Sequence, residues 1–269
     1  MTTHDKVTFG ENCTLYCGDA FEILPTLEDG SIDAVISDMP YSSSFGRCTA
    51  CDWDKPIPLE QFWQLMETKT KPEANIALFC NMKLAYDLIG TKKEWFRYDL
   101  IWAKNNRVGF LNANLQPLKS HELILLFGRP GFRESSVYNP IKLPGGRPFV
   151  KKTRKRKQSV YPPQEPHTTV SDGGIYPNSI LAFDNDRGGN KTELCFHPTM
   201  KPLYLMGWLL MLYTQENGIV LDPFMGSGTT GVATMKLSRG NFIGIERERK
   251  YFDIACQRIE EVMSRKKAG

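Results

Sequence analysis

One stretch restricts the fold more than any other: Ile219-Val-Leu-Asp-Pro-Phe-Met-Gly-Ser-Gly-Thr-Thr-Gly231. Ile219 to Asp222 reads as a buried strand closed by an acid. Gly226, Gly228 and Gly231 then follow at G-x-G-x-x-G spacing, and a helical pattern begins at Gly228. A second strand, Asn241 to Glu246, ends in another acid. Strand, glycine turn, helix, strand and terminal acid form the βαβ arrangement that binds nucleotides. Glycines let backbone approach a ligand where a Cβ would collide, and the N–H groups of a helix start face that ligand. Glu246 is placed to accept hydrogen bonds from ribose hydroxyls. A lone glycine pattern of this kind also occurs in ordinary turns, so its flanks carry the weight here.

The remaining periodicity extends the same architecture. Strands are predicted at Thr14 to Cys17, Asp33 to Asp38, Asn75 to Cys80, Tyr98 to Trp102 and Glu122 to Phe127, with a weaker one at Ser179 to Phe183. Helices are predicted at Ala20 to Leu27, Leu59 to Lys69, Lys83 to Ile89, Leu203 to Tyr213 and Lys250 to Arg265. Alternation of this kind indicates an α/β fold: a doubly wound, mostly parallel sheet covered on both faces. Ligands of such sheets bind at the carboxyl ends of the strands. Asp38, Asp222 and Glu246 each close a strand there, and Asp19 follows a fourth.

The texture changes between 129 and 195, where prolines and glycines are dense and periodicity fades. A plain connection of that length is uncommon, which points to an inserted region. The expected organisation is 1–128 and 196–269 as two halves of one domain, with 129–195 inserted between them. Net charge is only +4, but Lys151-Lys-Thr-Arg-Lys-Arg-Lys157 places six cations in seven residues. Such a run is usually a solvated segment and binds nucleic acid less often.

No apolar run is long enough to span a bilayer, and the first residues lack a signal-peptide core. Together with seven cysteines, an odd number, this leads to the expectation of a cytoplasmic protein with free thiols. Cys13, Cys17, Cys48 and Cys51 could in principle close a zinc site, but the first pair is poorly spaced and no metal is expected.

Asp38-Met39-Pro40-Tyr41 could simply terminate a strand. It also supplies what amine chemistry needs: a carboxylate and a backbone carbonyl to take both hydrogens of an exocyclic amine, beside an aromatic ring to stack on an extruded base. These residues resemble the Asp-Pro-Pro-Tyr motif of amino-directed DNA methyltransferases dependent on S-adenosylmethionine. Asp222 to Thr230 resembles that family's cofactor motif, and His197-Pro-Thr-Met-Lys-Pro202 its companion segment. Catalytic motif early, recognition region central and cofactor motif late is the permuted order of the β group.

The resemblance implies a Rossmann-like methyltransferase sheet with an inserted target-recognition region. It assigns Asp38, Met39, Pro40 and Tyr41 to catalysis. It assigns Asp19, Asp222, Pro223, Phe224, Gly226, Ser227, Gly228, Thr229 and Glu246 to the cofactor, with Lys201 facing the cofactor carboxylate. Lys104, Arg107, Lys151, Lys152, Arg154, Lys155, Arg156 and Lys157 are candidate phosphate contacts. The amides Asn105, Asn106, Asn112, Asn114 and Gln116 in the loop 104–116 could read base edges, or serve turns. His121 and His197 are read as structural. Met39 departs from the family's proline, at a cost of about 1 kcal/mol of preorganisation that Pro40 partly offsets.

The acid at 38 resembles adenine-N6 rather than cytosine-N4 members, so the expected reaction is methylation of adenine N6 in DNA. Cytosine N4, RNA, or a disabled DNA-binding relative are the alternatives. A nicotinamide oxidoreductase is disfavoured by Asp222-Pro-Phe and by the tetrad at 38. A homodimer and a cognate restriction nuclease are further expectations from the family. All of this requires Asp38 and Glu246 to be spatial neighbours.

Overall fold

The computed structural model describes residues 5–49, 51, 54–153, 165–184 and 200–268. Arg154 to Lys157 and His197, all singled out above, lie outside them. In chain order the elements are β1 (Asp5–Phe9), β2 (Cys13–Cys17), α1 (Ala20–Ile23), β3 (Ile32–Asp38), α2 (Leu59–Lys69), β4 (Thr70–Cys80), α3 (Met82–Thr91), β5 (Phe96–Val108) and β6 (Lys119–Phe127). They continue with β7 (Phe149–Lys152), β8 (Thr168–Ser171), β9 (Ile180–Ala182), α4 (Leu203–Tyr213), β10 (Ile219–Asp222), α5 (Thr229–Leu237), β11 (Asn241–Glu246) and α6 (Arg249–Ala268).

Nine strands form one sheet in the order β1-β2-β11-β10-β3-β4-β6-β5-β9. The five from β2 to β4 are mutually parallel. Their sequences are near-continuous apolar runs because helices cover both faces; Ala34, Val35, Ile76, Ala77, Leu78 and Phe79 are fully or almost fully buried. β1 and β6 run antiparallel to their neighbours, and β5 is antiparallel to β6. Chain order reverses between β10 and β3, whose pairing sets Val220 against Ala34 and Leu221 against Val35. That seam is the topological switch point of the sheet, where such folds open a crevice at the strand ends.

Local chemistry starts and stops the helices. Asn81 caps α3 by accepting from the Leu84 N–H at 2.9 Å. α4 begins directly after Pro202 and is apolar on almost every side, so it is buried nearly all round. At Gly228 φ is +75°, a conformation that lets the turn after β10 enter α5 without a Cβ penalty. Gly231 answers to packing: a Cβ there would stand 2.5 Å from the Phe242 ring. Gly231→Ala is accordingly expected to lower stability by about 1–3 kcal/mol through overpacking between α5 and β11, read as a lower urea midpoint with unchanged slope.

The chain divides into two compact units, one of residues 1–139 and 179–269, the other Pro140–Asn178. The smaller holds the antiparallel pair β7 and β8, an isolated bridge between Leu143 and Ile175, and an ion pair between Lys142 and Asp172 at 3.0 Å. It is narrower than the 129–195 region expected from composition. Arg129, Ser136 and Asn139 belong to the main unit and hydrogen-bond within it, and Ile180–Ala182 adds a strand to its sheet.

Two further elements differ from expectation. β1 carries little apolar signal because it is a largely exposed edge strand. Residues 103–108, expected as part of a polar loop, continue β5 with a register shift between Ala103 and Val108. No helix among the described residues is long and apolar enough to cross a membrane. Cys13 points into the core at 1% exposure, and no cluster of three potential metal ligands occurs among the described residues.

Candidate active site

The carboxyl ends of β2, β3, β10 and β11 deliver Asp19, Asp38, Asp222 and Glu246 to one cavity of about 710 Å³. Asp38 and Glu246, far apart in sequence, line the same space, as do Tyr41, Phe224, Gly226, Ser227 and Thr229.

The antiparallel strands complete it. Leu123 on β6 pairs with Cys80 at the end of β4, so the preceding residue, Glu122, arrives at the same edge. Trp102 on β5 pairs with Glu122 and brings Lys104 in behind it. Sequence reasoning missed Glu122 altogether.

Glu122 anchors a buried charge cluster. Lys201 Nζ lies 2.6 Å from Asp38 Oδ2 and 3.2 Å from Glu122 Oε2, with a side chain only 6% exposed. It also sits over the rings of Tyr41 and Phe79, at 5.3 Å and 5.1 Å. The Tyr41 hydroxyl donates to Glu122 Oε2 at 2.9 Å, and Lys104 pairs with Glu122 Oε1. Two carboxylates and two ammonium groups thus neutralise one another out of water.

The titration of the cluster follows from who holds whom. Burial opposes ionisation of Glu122, but Lys201 and Lys104 together outweigh it and hold its carboxyl at about 2. Asp38 shares only Lys201, and burial, aided by the charge of Glu122, pushes its carboxyl above the ordinary range. Lys201 is raised: burial works against its charge, and the two carboxylates more than offset that. Burial and the same carboxylates push the Tyr41 phenol well up, so it remains a hydrogen-bond donor. One atom is left over. Asp38 Oδ1 is buried and has no hydrogen-bond partner among the described residues.

On the other side of the seam, Asp222 accepts from the Ser37 hydroxyl at 2.7 Å, the Thr230 hydroxyl at 2.6 Å and the Phe224 N–H at 3.2 Å. Its carboxyl, raised by burial to about 6, therefore shapes the turn and ties β3 to β10 at the wall of the cavity. Glu246 Oε2 accepts from the Gly226 N–H at 2.9 Å and Oε1 from the Glu248 N–H at 2.7 Å. Space ahead of Gly226 is open: a Cβ there would meet nothing within 4 Å. Arg258 on α6 donates to the Ser227 and Thr229 hydroxyls, bracing the turn from behind.

Lys201, expected to face a cofactor carboxylate, lines the cavity with Asp38 and Glu122 as its immediate ion-pair partners. Lys104, a candidate phosphate contact, is 12% exposed and paired with Glu122. Asp19 caps α1, accepting from the Phe21 N–H at 2.8 Å, while still lining the cavity. Arg107, Lys151 and Lys152 are exposed as expected. Met39 is 2% exposed and packs into the core, so burial fixes the position that a proline would otherwise fix.

A family model for N6/N4 enzymes, described as DNA methylase, matches residues 32–257, most of the chain. The chain belongs to this DNA methylase family. It is 27% identical to the type II methyltransferase M2.LlaDCHI of Lactococcus lactis subsp. cremoris, over 93% of this chain and 90% of that protein. It is 26% identical to the type II methyltransferase M2.DpnII of Streptococcus pneumoniae, over 90% and 87%. Among solved structures, M1.HpyAVI in complex with SAM superposes with a TM-score of 0.60 at 27% identity, covering 92% of this chain and 98% of that one. The protein is a DNA methyltransferase, and its methyl donor is S-adenosylmethionine.

The cavity of this methyltransferase suits that donor. Gly226 leaves room for close approach, and Phe224 and Glu246 line the same cavity with an apolar ring and a carboxylate. Burial raises the Glu246 carboxyl to about 7, against an ordinary 4.5. The folded chain therefore holds that proton more tightly than the unfolded one does. Stability from it is present below 4.5 and is lost as pH rises through 7. A ribose donating to the ionised carboxylate would offset the loss. Thermal stabilisation by S-adenosylmethionine should thus be larger at about pH 8 than at about pH 5.5, and Glu246→Gln should flatten the difference.

Proposed function

We propose that this methyltransferase modifies the exocyclic N6 amine of an adenine turned out of duplex DNA. One observation supports the reading above the others: the unpartnered buried Oδ1 of Asp38, in the same cavity as Glu246 and beside the Tyr41 ring. An acceptor left unsatisfied there is costly unless a donor arrives, and an amine hydrogen is such a donor. S-adenosylmethionine supplies an electrophilic methyl group on its sulfonium. Asp38 takes one hydrogen of the amine and the Met39 carbonyl the other, which turns the nitrogen lone pair out of ring conjugation and towards the donor. Tyr41, its hydroxyl tethered to Glu122, stacks on the base. Phe224, Gly226, Ser227, Thr229 and Glu246 hold the cofactor, with Asp222 shaping the turn that presents them.

The preference for adenine rests on the acid at 38, where the cytosine-N4 members it resembles more often carry serine. The smaller unit and its flanks, within 129–195, are read as the target-recognition region. Arg107, Lys151 and Lys152 are read as phosphate contacts, which position a duplex without reading it. A homodimer, a cognate restriction nuclease and a cytoplasmic setting complete the proposal.

Tritium transfer from labelled S-adenosylmethionine to unmethylated DNA, followed by hydrolysis to nucleosides, tests it directly. Label in N6-methyladenine is the expected result. Label in N4-methylcytosine would overturn the choice of base, and no transfer would overturn the catalytic reading.

A further inference from the structure

The hairpin joining β5 to β6 ends in a tip that the mechanism above does not use. Gly109, with φ of +95°, turns the chain into a short 3-10 turn, Phe110–Asn112. Backbone bonds hold it: Asn112 N–H to Gly109 O at 2.9 Å, Ala113 N–H to Phe110 O at 3.1 Å and Leu115 N–H to Asn112 O at 2.9 Å. Yet this ordered tip presents its largest apolar side chains to water. Phe110 is 69% exposed, Leu111 101% and Leu115 84%. Apolar residues grouped on a structured protrusion mark a contact surface.

What that surface meets follows from its stem. Asn106 and Val108, at the base of the hairpin, line the cavity that holds Asp38 and Tyr41. The strands below the tip carry Arg107 and Lys119, and neither forms an ion pair with a described residue. An apolar point between unpaired cations, beside a cavity for one base, complements a duplex: phosphates at the flanks, a base stack ahead. Three side chains on one turn are also less than the roughly 800 Å² per partner that a stable protein dimer buries.

The geometry points to the tip as a wedge, with Phe110 and Leu111 entering the base stack and filling the gap left by the extruded nucleotide. The inference rests on reading the cavity as the seat of that nucleotide. The wedge does no chemistry. It offsets unstacking, which a duplex requires and a single strand does not.

The test compares wild type with the double variant Phe110→Ser, Leu111→Ser in the full chain. Unmethylated plasmid DNA with a fraction of its adenines replaced by 2-aminopurine serves as the duplex probe, so no recognition sequence need be known. Wild type should raise 2-aminopurine fluorescence on binding, and the double variant should lose most of that rise. Methyl transfer to the unsubstituted plasmid should fall by about tenfold to a hundredfold, with duplex affinity and S-adenosylmethionine binding held within about threefold. Duplex transfer kept within about twofold, or an undiminished fluorescence rise, would overturn the wedge. So would a loss of activity accompanied by a change from dimer to monomer in sedimentation, since the tip would then join two copies. Failure of wild type itself to methylate DNA would strike the underlying reading and not the wedge.

Discussion

Asp38→Ala is expected to lower methyl transfer by about a thousandfold while S-adenosylmethionine binding stays within about threefold. The separation follows from where the contacts fall. Asp38 stands across the seam from the glycine turn, and none of the hydrogen bonds that shape that turn passes through it. Its buried Oδ1 has no hydrogen-bond partner among the described residues, and on the proposed mechanism the amine supplies one. Lys201 keeps Glu122 as a counter-ion in the variant, so the fold should survive. Single-turnover transfer and calorimetric titration of the cofactor measure the two halves separately. Weak cofactor binding in the variant would mean that the two subsites are not independent, and retained transfer would remove Asp38 from the mechanism.

Lys201→Met should have the largest effect on both stability and rate. Removing the ammonium leaves Asp38, a quarter exposed, unpaired and the more buried Glu122 with Lys104 alone. Breaking a buried pair from one side costs about 3–5 kcal/mol, which urea unfolding would register. The chemical consequence has a definite sign. Burial already raises the Asp38 carboxyl and Lys201 lowers it, so without Lys201 it rises further. A protonated Asp38 is a poorer acceptor for the amine, so transfer should vanish at neutral pH and recover in part as pH increases. The acid limb of the kcat profile should move to higher pH, measured per molecule competent to bind cofactor. Lys201→Arg, which restores charge, should return the limb towards its original position. An unmoved limb in Lys201→Met would show that Lys201 does not govern ionisation of Asp38.

Much of this site could be read from residue order because its parallel strands obey a simple rule. An acid closing an apolar run lands at the carboxyl edge, which is how Asp38, Asp222 and Glu246 were found. Glu122 obeys the mirror image of that rule. It precedes the apolar run of its strand, and because β6 runs antiparallel to β4 an acid in that position reaches the edge that closing acids reach. Strand direction is not encoded in the local pattern, so Glu122 carried no visible signal. The ion pairs of Lys104 and Lys201 with Glu122 are hidden in the sequence for the same reason, whereas Asp38, the nearer partner of Lys201, is legible. The hairpin beyond Ala103 was hidden differently: its residues are polar and exposed, and only pairing with β6 makes them a strand. The sheet's parallel centre was legible, and its antiparallel flank was less so.

The seam between β3 and β10 has a consequence for ancestry. Catalytic and cofactor halves meet there through paired strands and the Ser37–Asp222 hydrogen bond, across 185 positions of chain. Nothing in that contact records which half was translated first. Gene rearrangements that swap the two segments can therefore keep the chemistry intact, provided each strand finds its neighbour. Lineage comparisons for such enzymes should align halves separately, because end-to-end alignment penalises an event to which the catalytic centre is indifferent.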